Sequence, residues 1–323
     1  MILFNFYKVK KNSAVDLAYQ RIFQIFNSKT ACAKMDNNLS SEKYVVCSDM
    51  YQVILIYLKS FGAAHIIFWV QGSAPHESYL KHRSYIKYII LWLIEYLALF
   101  LSNSQIYVST YMKDFYQKKP FIKNKKNVII PCFSDLEVNS TVEKDPHNYC
   151  YIGGMSKWQN FEKIIQIMNI VVEKNNEAKF SVATNDLKTC NDQLEKMATN
   201  KLLKVTSVVS LSSKQEIENF LSAASFGFLI RDDIVVNNVA SPIKLAEYFS
   251  CGINVISTKG ITSYTNLIEQ AGFVINENNL DSIKEIKFIA NEKEALRIFD
   301  ENFSANSISN AVDIFLKDLG LSS

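Results

Sequence analysis

One segment of the chain, residues 241–256, constrains the fold more than any other because it carries both start and stop signals for a helix. Ser241 and Pro242 are residue types that favour the N-cap and the first helical position. Gly252 stands where a left-handed residue usually ends a helix, and a β-rich run follows it. The segment therefore predicts a short helix that leads into a strand, as in α/β proteins.

Lys244 is unusual in this segment because it falls in the first turn of the predicted helix. The positive end of the helix dipole lies there, so a cation costs about 0.3–1 kcal/mol unless an anion binds nearby. An apolar run at residues 226–230 precedes the segment and ends in Arg231, Asp232 and Asp233. A strand, a polar loop and a helix with a cation in its first turn predict a phosphate site.

Two charged residues flank this predicted site. Arg231 follows a strand, at the edge where open α/β sheets bind ligands, and a guanidinium can hold phosphate with two hydrogen bonds. An ion pair with Asp232 or Asp233 is the alternative for this arginine. Glu247 lies one turn after Lys244, where a simple ion pair between the two is the alternative to a binding role.

The segment resembles the nucleotide-sugar half of GT-B glycosyltransferases, especially glycosyltransferase family 4 and its bacterial cell-surface polysaccharide branch. In that family two glutamates are separated by seven residues, and a glycine and an apolar strand follow. Glu247 matches the second glutamate, so the resemblance implies that it contacts the nucleotide ribose. The first glutamate, which touches the transferred sugar in the family, would fall at Val239. The resemblance also implies phosphate or sugar contacts from Asn238, Ala240, Ser241 and Pro242.

A Gly-Gly turn at Gly153 and Gly154 follows a predicted strand and precedes a predicted helix. Glycines there would let the backbone approach a ligand closely, although an ordinary turn is the alternative. No third glycine completes a dinucleotide-binding fingerprint. The resemblance implies an Arg and a Lys on the sugar diphosphate in this loop, but their positions fall at Gly154 and Gln159. We expect Lys157, in the same loop, to substitute for them.

In the first half of the chain, a polar segment at residues 71–78 follows an apolar run of strand length at residues 65–70. His76 and Glu77 lie in that segment, which we expect to be a loop at the carboxyl edge of a sheet. They are the candidates for binding an acceptor or for acting as a general base. A loop histidine without a role is the alternative for His76.

Residues 85–101 are almost apolar enough and long enough to span a bilayer, but Lys87 and Glu95 interrupt them. Many basic residues lie nearby in the sequence. An apolar helix beside a basic cluster indicates peripheral docking on an anionic membrane. A core helix packed against the first sheet is the alternative.

The 323 residues, 48% of them hydrophobic and 21% charged, suffice for two domains. Strands and helices alternate on both sides of a polar segment at residues 134–148, which predicts two α/β domains. We expect an acceptor-binding domain over residues 1–140 and a nucleotide-sugar domain over residues 147–303. The resemblance implies the GT-B fold, with two Rossmann-like domains whose parallel sheets face a central cleft, and a C-terminal helix at residues 304–323 that packs back on the first.

Together these features predict a hexosyl- or other glycosyltransferase that uses a nucleotide-sugar donor, a UDP-sugar first of all. The acceptor would be a growing, lipid-linked cell-surface polysaccharide or oligosaccharide, with Arg231 and Lys244 stabilising the leaving diphosphate. A non-catalytic GT-B partner of an active transferase is the main alternative, and a nucleotide-sugar epimerase is another.

The resemblance implies neither a cofactor nor a metal, because GT-B enzymes usually use basic side chains and a helix dipole where other glycosyltransferases bind a metal. A net charge of +3 is too small to indicate nucleic acid. Six scattered cysteines and a start without signal-peptide features predict the cytoplasm or the inner face of the cell membrane.

Overall fold

The computed structural model describes residues 4–8, 14–30, 33–36, 43–276 and 279–321, which divide into two compact units. Unit 1 comprises Met1–Cys132, Val239–Ser241 and Asn306–Ser323, and unit 2 comprises Phe133–Asn238 and Pro242–Ala305. The division therefore falls after Cys132, before the polar segment at residues 134–148, eight residues earlier than the predicted boundary at residue 140. Leu136 is buried in the core of unit 2, which explains why the segment belongs there.

The first part of the chain alternates strands and helices as predicted. Its strands are β1 (Phe4–Phe6), β2 (Ala33–Met35), β3 (Tyr44–Cys47), β4 (His65–Val70), β5 (Ser104–Tyr107) and β6 (Lys126–Ile129). Its helices are α1 (Ala14–Lys29), α2 (Met50–Lys59), α3 (Ala74–His82), α4 (Tyr85–Leu101) and α5 (Thr110–Gln117).

The second part repeats the alternation. Its strands are β7 (Asp145–Ile152), β8 (Lys179–Ala183), β9 (Thr206–Val209), β10 (Ala224–Leu229), β11 (Asn254–Ser257) and β12 (Gly272–Val274). Its helices are α6 (Phe161–Lys174), α7 (Leu187–Met197), α8 (Asn200–Lys204), α9 (Lys214–Ser222), α10 (Val235–Val239), α11 (Ile243–Ser250), α12 (Thr265–Gln270) and α13 (Glu292–Asn302), and α14 (Ala305–Asp318) closes the chain.

Unit 1 is built on a six-stranded sheet with the order β2-β1-β3-β4-β5-β6, in which neighbouring strands run parallel. Five of the six residues of β4 are buried, as expected for an apolar strand covered on both faces. An aromatic cluster of Phe4, Phe6 and Phe26 packs α1 against the sheet. The last helix, α14, joins this unit through an ion pair of 2.6 Å between Asp313 and Lys29.

Unit 2 holds a second six-stranded parallel sheet with the order β12-β11-β10-β7-β8-β9. The strand order reverses between β7 and β10, the first and fourth strands of this sheet. The turns that follow these two strands therefore lie side by side at a topological switch point, where doubly wound sheets bind their ligands. Two parallel sheets with interleaved helices confirm the predicted fold class.

Some of the predicted helix ends agree with the structure, and one does not. Ser213 and Glu216 form the capping box that opens α9, and Gly252 takes a left-handed φ of +67° after α11. The predicted N-cap of α11 is wrong: Pro242 is the N-cap, and the hydroxyl of Ser241 instead accepts the Cys132 N–H at 2.9 Å. A serine side chain satisfies whichever backbone donor the tertiary structure brings closest.

Candidate functional site

The candidate site lies in unit 2 at the switch point of its sheet. Gly153 follows β7 directly, and Arg231 comes two residues after the end of β10. Thr258, just beyond β11, fixes the arginine: its hydroxyl accepts the Arg231 N–H at 2.9 Å and donates to the Arg231 carbonyl. Three neighbouring strands therefore hold the backbone of the site.

Arg231 is only 8% exposed, and neutral oxygens hold its guanidinium. It donates to the carbonyl oxygens of Trp158 at 3.1 Å and Ile230 at 3.3 Å, and to the side-chain oxygen of Gln159 at 2.8 Å. Burial lowers the pKa of Arg231 from its ordinary value.

The neighbouring aspartates have other partners. Asp232 forms an ion pair of 2.6 Å with Lys163, and Asp233 accepts a hydrogen bond of 2.7 Å from the side-chain amide of Asn238. The oxygen of Asn238 in turn accepts from Thr262 Oγ1 at 2.6 Å. Among the described residues, no group of three or more His, Cys, Asp or Glu side chains could hold a metal ion.

Lys244 is the second buried cation of the site, with 9% of its surface exposed. Its Nζ donates to Gln159 Oε1 at 2.6 Å and to the Tyr151 hydroxyl at 3.3 Å, and it lies 4.5 Å from the centre of the Tyr151 ring. Burial, and after it the charge of Arg231, lower the pKa of Lys244 to about 7, while Glu247 acts in the opposite direction. The ammonium is therefore close to half protonated at neutral pH.

Gln159 is the residue on which both cations converge, at the position where the resemblance implies a lysine. Its single amide oxygen accepts from Lys244 and Arg231. A neutral oxygen compensates a buried positive charge poorly. The two buried cations around Gln159 therefore favour the binding of an anion beside them. Only the family resemblance pointed to this position, because the contacts of Gln159 are with residues 72 and 85 positions away.

The two glycines of the predicted phosphate loop differ in their surroundings. Gly153 has φ +148°, and a Cβ there would collide with Lys244 Nζ. A Cβ on Gly154 would meet no heavy atom within 4 Å. Both glycines line a cavity of about 430 Å³, together with Thr184 and Asp186. The first glycine is thus required for the approach of the lysine, and the second borders open space.

The other residues predicted to bind the donor differ in their surroundings. Lys157 is exposed in a short 3-10 turn, Lys157–Gln159, and Glu247 is half-buried on α11. Asn238 lies in α10 and is tied to neighbouring loops, as described above. Ala240 and Ser241 group with unit 1, and Pro242 caps α11.

In unit 1, His76 and Glu77 lie in the first turn of helix α3, so the prediction of a loop there was wrong. Pro75, a favoured residue at a helix start, was the overlooked signal. The Nδ1 of His76 lies 2.8 Å from Ser73 Oγ, and its Nε2 lies 3.3 Å from the Tyr88 hydroxyl. Burial and then the charge of Lys119 lower the pKa of His76, which keeps the imidazole neutral, and burial raises the pKa of Glu77.

Glu95 has a role that its sequence position did not predict. It lies on the buried side of α4 with 3% of its surface exposed, and its carboxylate accepts the Ala74 N–H at 3.0 Å at the start of α3. Burial raises the pKa of Glu95 to about 7. The charge that interrupts the apolar stretch therefore faces inwards and stabilises a helix start.

Comparison with solved structures agrees with this architecture. The pneumococcal O-GlcNAc transferase GtfA, in complex with UDP and GlcNAc, has a TM-score of 0.64 and 11% identity; the match covers 93% of this chain and 60% of GtfA. HepE from Anabaena, in complex with UDP and glucose, has a TM-score of 0.67 and 11% identity over 98% of this chain and all of HepE. WaaG, a glycosyltransferase of lipopolysaccharide biosynthesis, has a TM-score of 0.62 and 12% identity over 98% and 99% of the two chains.

At these identities the likeness shows a shared GT-B fold. A search of the curated proteins found no significant match. A sequence model of one family, described as glycosyl transferases group 1, matches residues 134–318, which is more than half of the chain and includes Arg231, Lys244 and Gln159. The chain therefore belongs to the group 1 family of glycosyl transferases, on the GT-B fold.

Proposed function

We propose that this protein transfers a hexose or related sugar from a nucleotide-sugar donor, first of all a UDP-sugar, to a glycan acceptor. One observation carries the proposal: two buried cations, Arg231 and Lys244, share the neutral oxygen of Gln159 at the switch point of the sheet. A diphosphate supplies the negative charge that this arrangement lacks. GtfA and HepE, which share the fold, are both known in complex with UDP.

The proposed reaction needs little covalent chemistry from the protein. An acceptor hydroxyl oxygen bonds to the anomeric carbon of the donor sugar, and the bond from that carbon to the diphosphate oxygen breaks. The electron pair leaves with the nucleoside diphosphate, and the hydroxyl proton passes to a base. Arg231 and Lys244 stabilise the charge that develops on the leaving group. Neutral His76, or Glu77, is the candidate for the base or for acceptor binding.

The remaining donor contacts are assigned by charge and by backbone access. Glu247, one turn after Lys244, would accept hydrogen bonds from the ribose hydroxyls. The turn of Gly153 and Gly154 would admit the phosphates, with Lys157 as an outer cation. Backbone and side-chain groups of Asn238, Ala240, Ser241 and Pro242 complete the proposed site for phosphates and sugar.

For the acceptor, we propose a growing, lipid-linked cell-surface polysaccharide or oligosaccharide, met at the inner face of the cell membrane. The role of the structurally similar WaaG in lipopolysaccharide biosynthesis supports this class of acceptor. Among the described residues, no helix is both long and apolar enough to cross a membrane.

A second candidate function rests on Val239, where the family's first glutamate would stand. This valine is fully buried, and its carbonyl accepts the hydroxyl of Ser109 at 2.8 Å. A buried apolar side chain cannot replace a carboxylate on the transferred sugar. This favours, as the alternative, a protein that binds nucleotide but acts as the non-catalytic partner of an active transferase.

Nucleotide binding can be tested by thermal shift with UDP, GDP, CDP and ADP. A nucleotide at 100 times its dissociation constant should stabilise the protein by about 2.7 kcal/mol. Lys244→Ala or Glu247→Ala should weaken binding by about 1–3 kcal/mol. Lys196→Ala, which removes an exposed lysine of α7, is the matched control and should bind normally. Unchanged affinity in folded Lys244→Ala protein would contradict the assignment of the site.

Turnover distinguishes the candidate functions. A transferase releases nucleoside diphosphate when both nucleotide-sugar and glycan acceptor are present. An epimerase would act on the donor without an acceptor. A nucleotide that binds at the Lys244 site without any turnover of its sugar derivatives would support the non-catalytic partner.

A further inference from the structure

The outward side of α4 is an apolar surface. Its buried side consists of Glu95, Ala98 and Leu99. The opposite side carries seven large apolar residues that are 42–74% exposed: Tyr85, Ile86, Ile89, Ile90, Leu93, Leu97 and Phe100. We call these seven residues the outer face of α4. They run the whole length of the helix, and contiguous apolar patches of this kind often mark interaction surfaces.

The apolar surface continues beyond the helix. Phe121 is 73% exposed, and its ring lies 5.9 Å from that of Phe100. Helix α2 packs against α4 and exposes Leu55 and Leu58, and the turn after α2 exposes Phe61. We expect a binding partner to cover this surface, because contact between apolar side chains and water is unfavourable.

Cations border this surface. Between residues 50 and 126 the sequence has ten Lys or Arg and three Asp or Glu, although the whole chain has a net charge of only +3. Lys125 Nζ lies 5.7 Å from the centre of the Phe100 ring, but it is held at the end of α4, where it donates to the carbonyl oxygens of Leu99 and Phe100. Exposed cations include Lys81, Arg83 and Lys87 at the start of α4 and Lys118 and Lys123 after α5. One of the three acids in this stretch, Glu95, is buried.

We propose that the outer face of α4 docks on an anionic phospholipid bilayer, with its apolar side chains among the acyl chains and the surrounding cations on the lipid headgroups. The charge pattern selects this occupant. An apolar face rimmed by lysines fits the interface of an anionic membrane, where each Lys or Arg contributes about fivefold to binding. A second copy of the chain fits poorly, since a twofold dimer would bring two basic rims together.

This inference rests on the proposed function and deepens it, since docking would bring the protein to the membrane that holds a lipid-linked acceptor. Its test is nevertheless independent of the donor site. Cosedimentation of the full chain with vesicles of phosphatidylcholine alone, or of phosphatidylcholine and phosphatidylglycerol, measures the docking directly. We expect binding to the anionic vesicles, at least tenfold weaker binding to the neutral ones, and a loss of affinity as salt is raised.

Two variants test the two parts of the surface. Ile90→Glu places a charge in the middle of the outer face and should reduce vesicle binding at least tenfold. Lys81→Gln with Lys87→Gln keeps the apolar face and should reduce binding to anionic vesicles about 25-fold, at about fivefold for each lysine. Ile289→Glu changes an exposed isoleucine of unit 2 and is the control, with unchanged binding.

Thermal unfolding without lipid verifies that each variant is folded, as expected for exposed positions. Equal binding to neutral and anionic vesicles, or full binding by Ile90→Glu, overturns the proposal. So does a lipid-free dimer in light scattering that Ile90→Glu dissociates. A nucleotide thermal shift on the same samples separates the two hypotheses: vesicle failure with a normal shift contradicts docking alone, and vesicle binding without a shift contradicts the donor site alone.

Discussion

Lys244 shows how a single residue can be unfavourable for the free protein and useful for binding. Its ammonium is buried, shares its acceptor with Arg231, and has a pKa near 7. The unfolded chain, where a lysine titrates near 10.4, therefore binds more protons than the folded protein between about pH 7 and pH 10. This group lowers the stability of the free protein as pH falls through that range, and a bound anion removes the penalty.

The pH dependence of nucleotide binding follows from the same pKa. Above pH 7 the free protein has a neutral Lys244, and an anion that binds beside it raises its pKa, so the complex takes up a proton. The dissociation constant of the nucleotide should rise up to tenfold for each pH unit between pH 7 and pH 9. Isothermal titration calorimetry in buffers of different ionisation enthalpy measures both the affinity and the proton uptake.

Lys244→Met is the control for this titration, because it removes the titrating group and keeps an unbranched side chain. Its nucleotide binding should be weaker and independent of pH above 7, where the nucleotide phosphates are already ionised. A wild-type dissociation constant that stays flat from pH 7 to pH 9 would rule out the proposed proton uptake.

At the level of elements, the turn after β7 determines how closely Lys244 on α11 can approach the end of that strand. Gly153 is needed because its φ of +148° and the nearby Lys244 leave no room for a Cβ. Gly154, its neighbour, has open space around the same position. A sequence with two adjacent glycines does not show which of them is required, since the answer depends on a lysine 91 positions away.

The two glycines form a matched pair of mutations. Gly153→Ala should destabilise the protein by about 1–3 kcal/mol through backbone strain and should weaken nucleotide binding by displacing Lys244. Gly154→Ala should leave stability within about 0.5 kcal/mol of the wild type. Chemical denaturation and the nucleotide thermal shift measure the two effects. Equal stability losses in both variants would show that Gly153 has no special place in the turn.

For the whole molecule, the two proposed surfaces belong to different units: the cation pair to unit 2 and the outer face of α4 to unit 1. They share no residue or element, so we expect their mutations to act independently. Lys244→Ala should retain vesicle binding within about twofold, and Ile90→Glu should retain the full nucleotide shift. In the double variant the losses of stability should add within about 0.3–0.5 kcal/mol. A nucleotide shift abolished by Ile90→Glu would instead show that the two surfaces are coupled.

Local sequence patterns were sufficient to predict the fold class and the elements that carry the site. Alternating apolar and amphipathic runs predicted two parallel α/β sheets, and the position of Arg231 after a strand and of Lys244 in a first helical turn singled out both cations. These signals are local. The periodicity of a strand or helix, and the residues that favour a helix end, can be recognised within about ten residues.

The contacts of these residues, in contrast, depend on the tertiary structure. Tyr151, Gln159 and Lys244 meet because β7 and β10 are neighbours in a sheet whose order departs from the order of the chain. Ser241 turns towards Cys132, which lies 109 residues earlier in the chain, and away from α11. Glu95 meets the first turn of α3 because α3 packs against α4. Packing between separate elements fixes such contacts, and no local pattern encodes them.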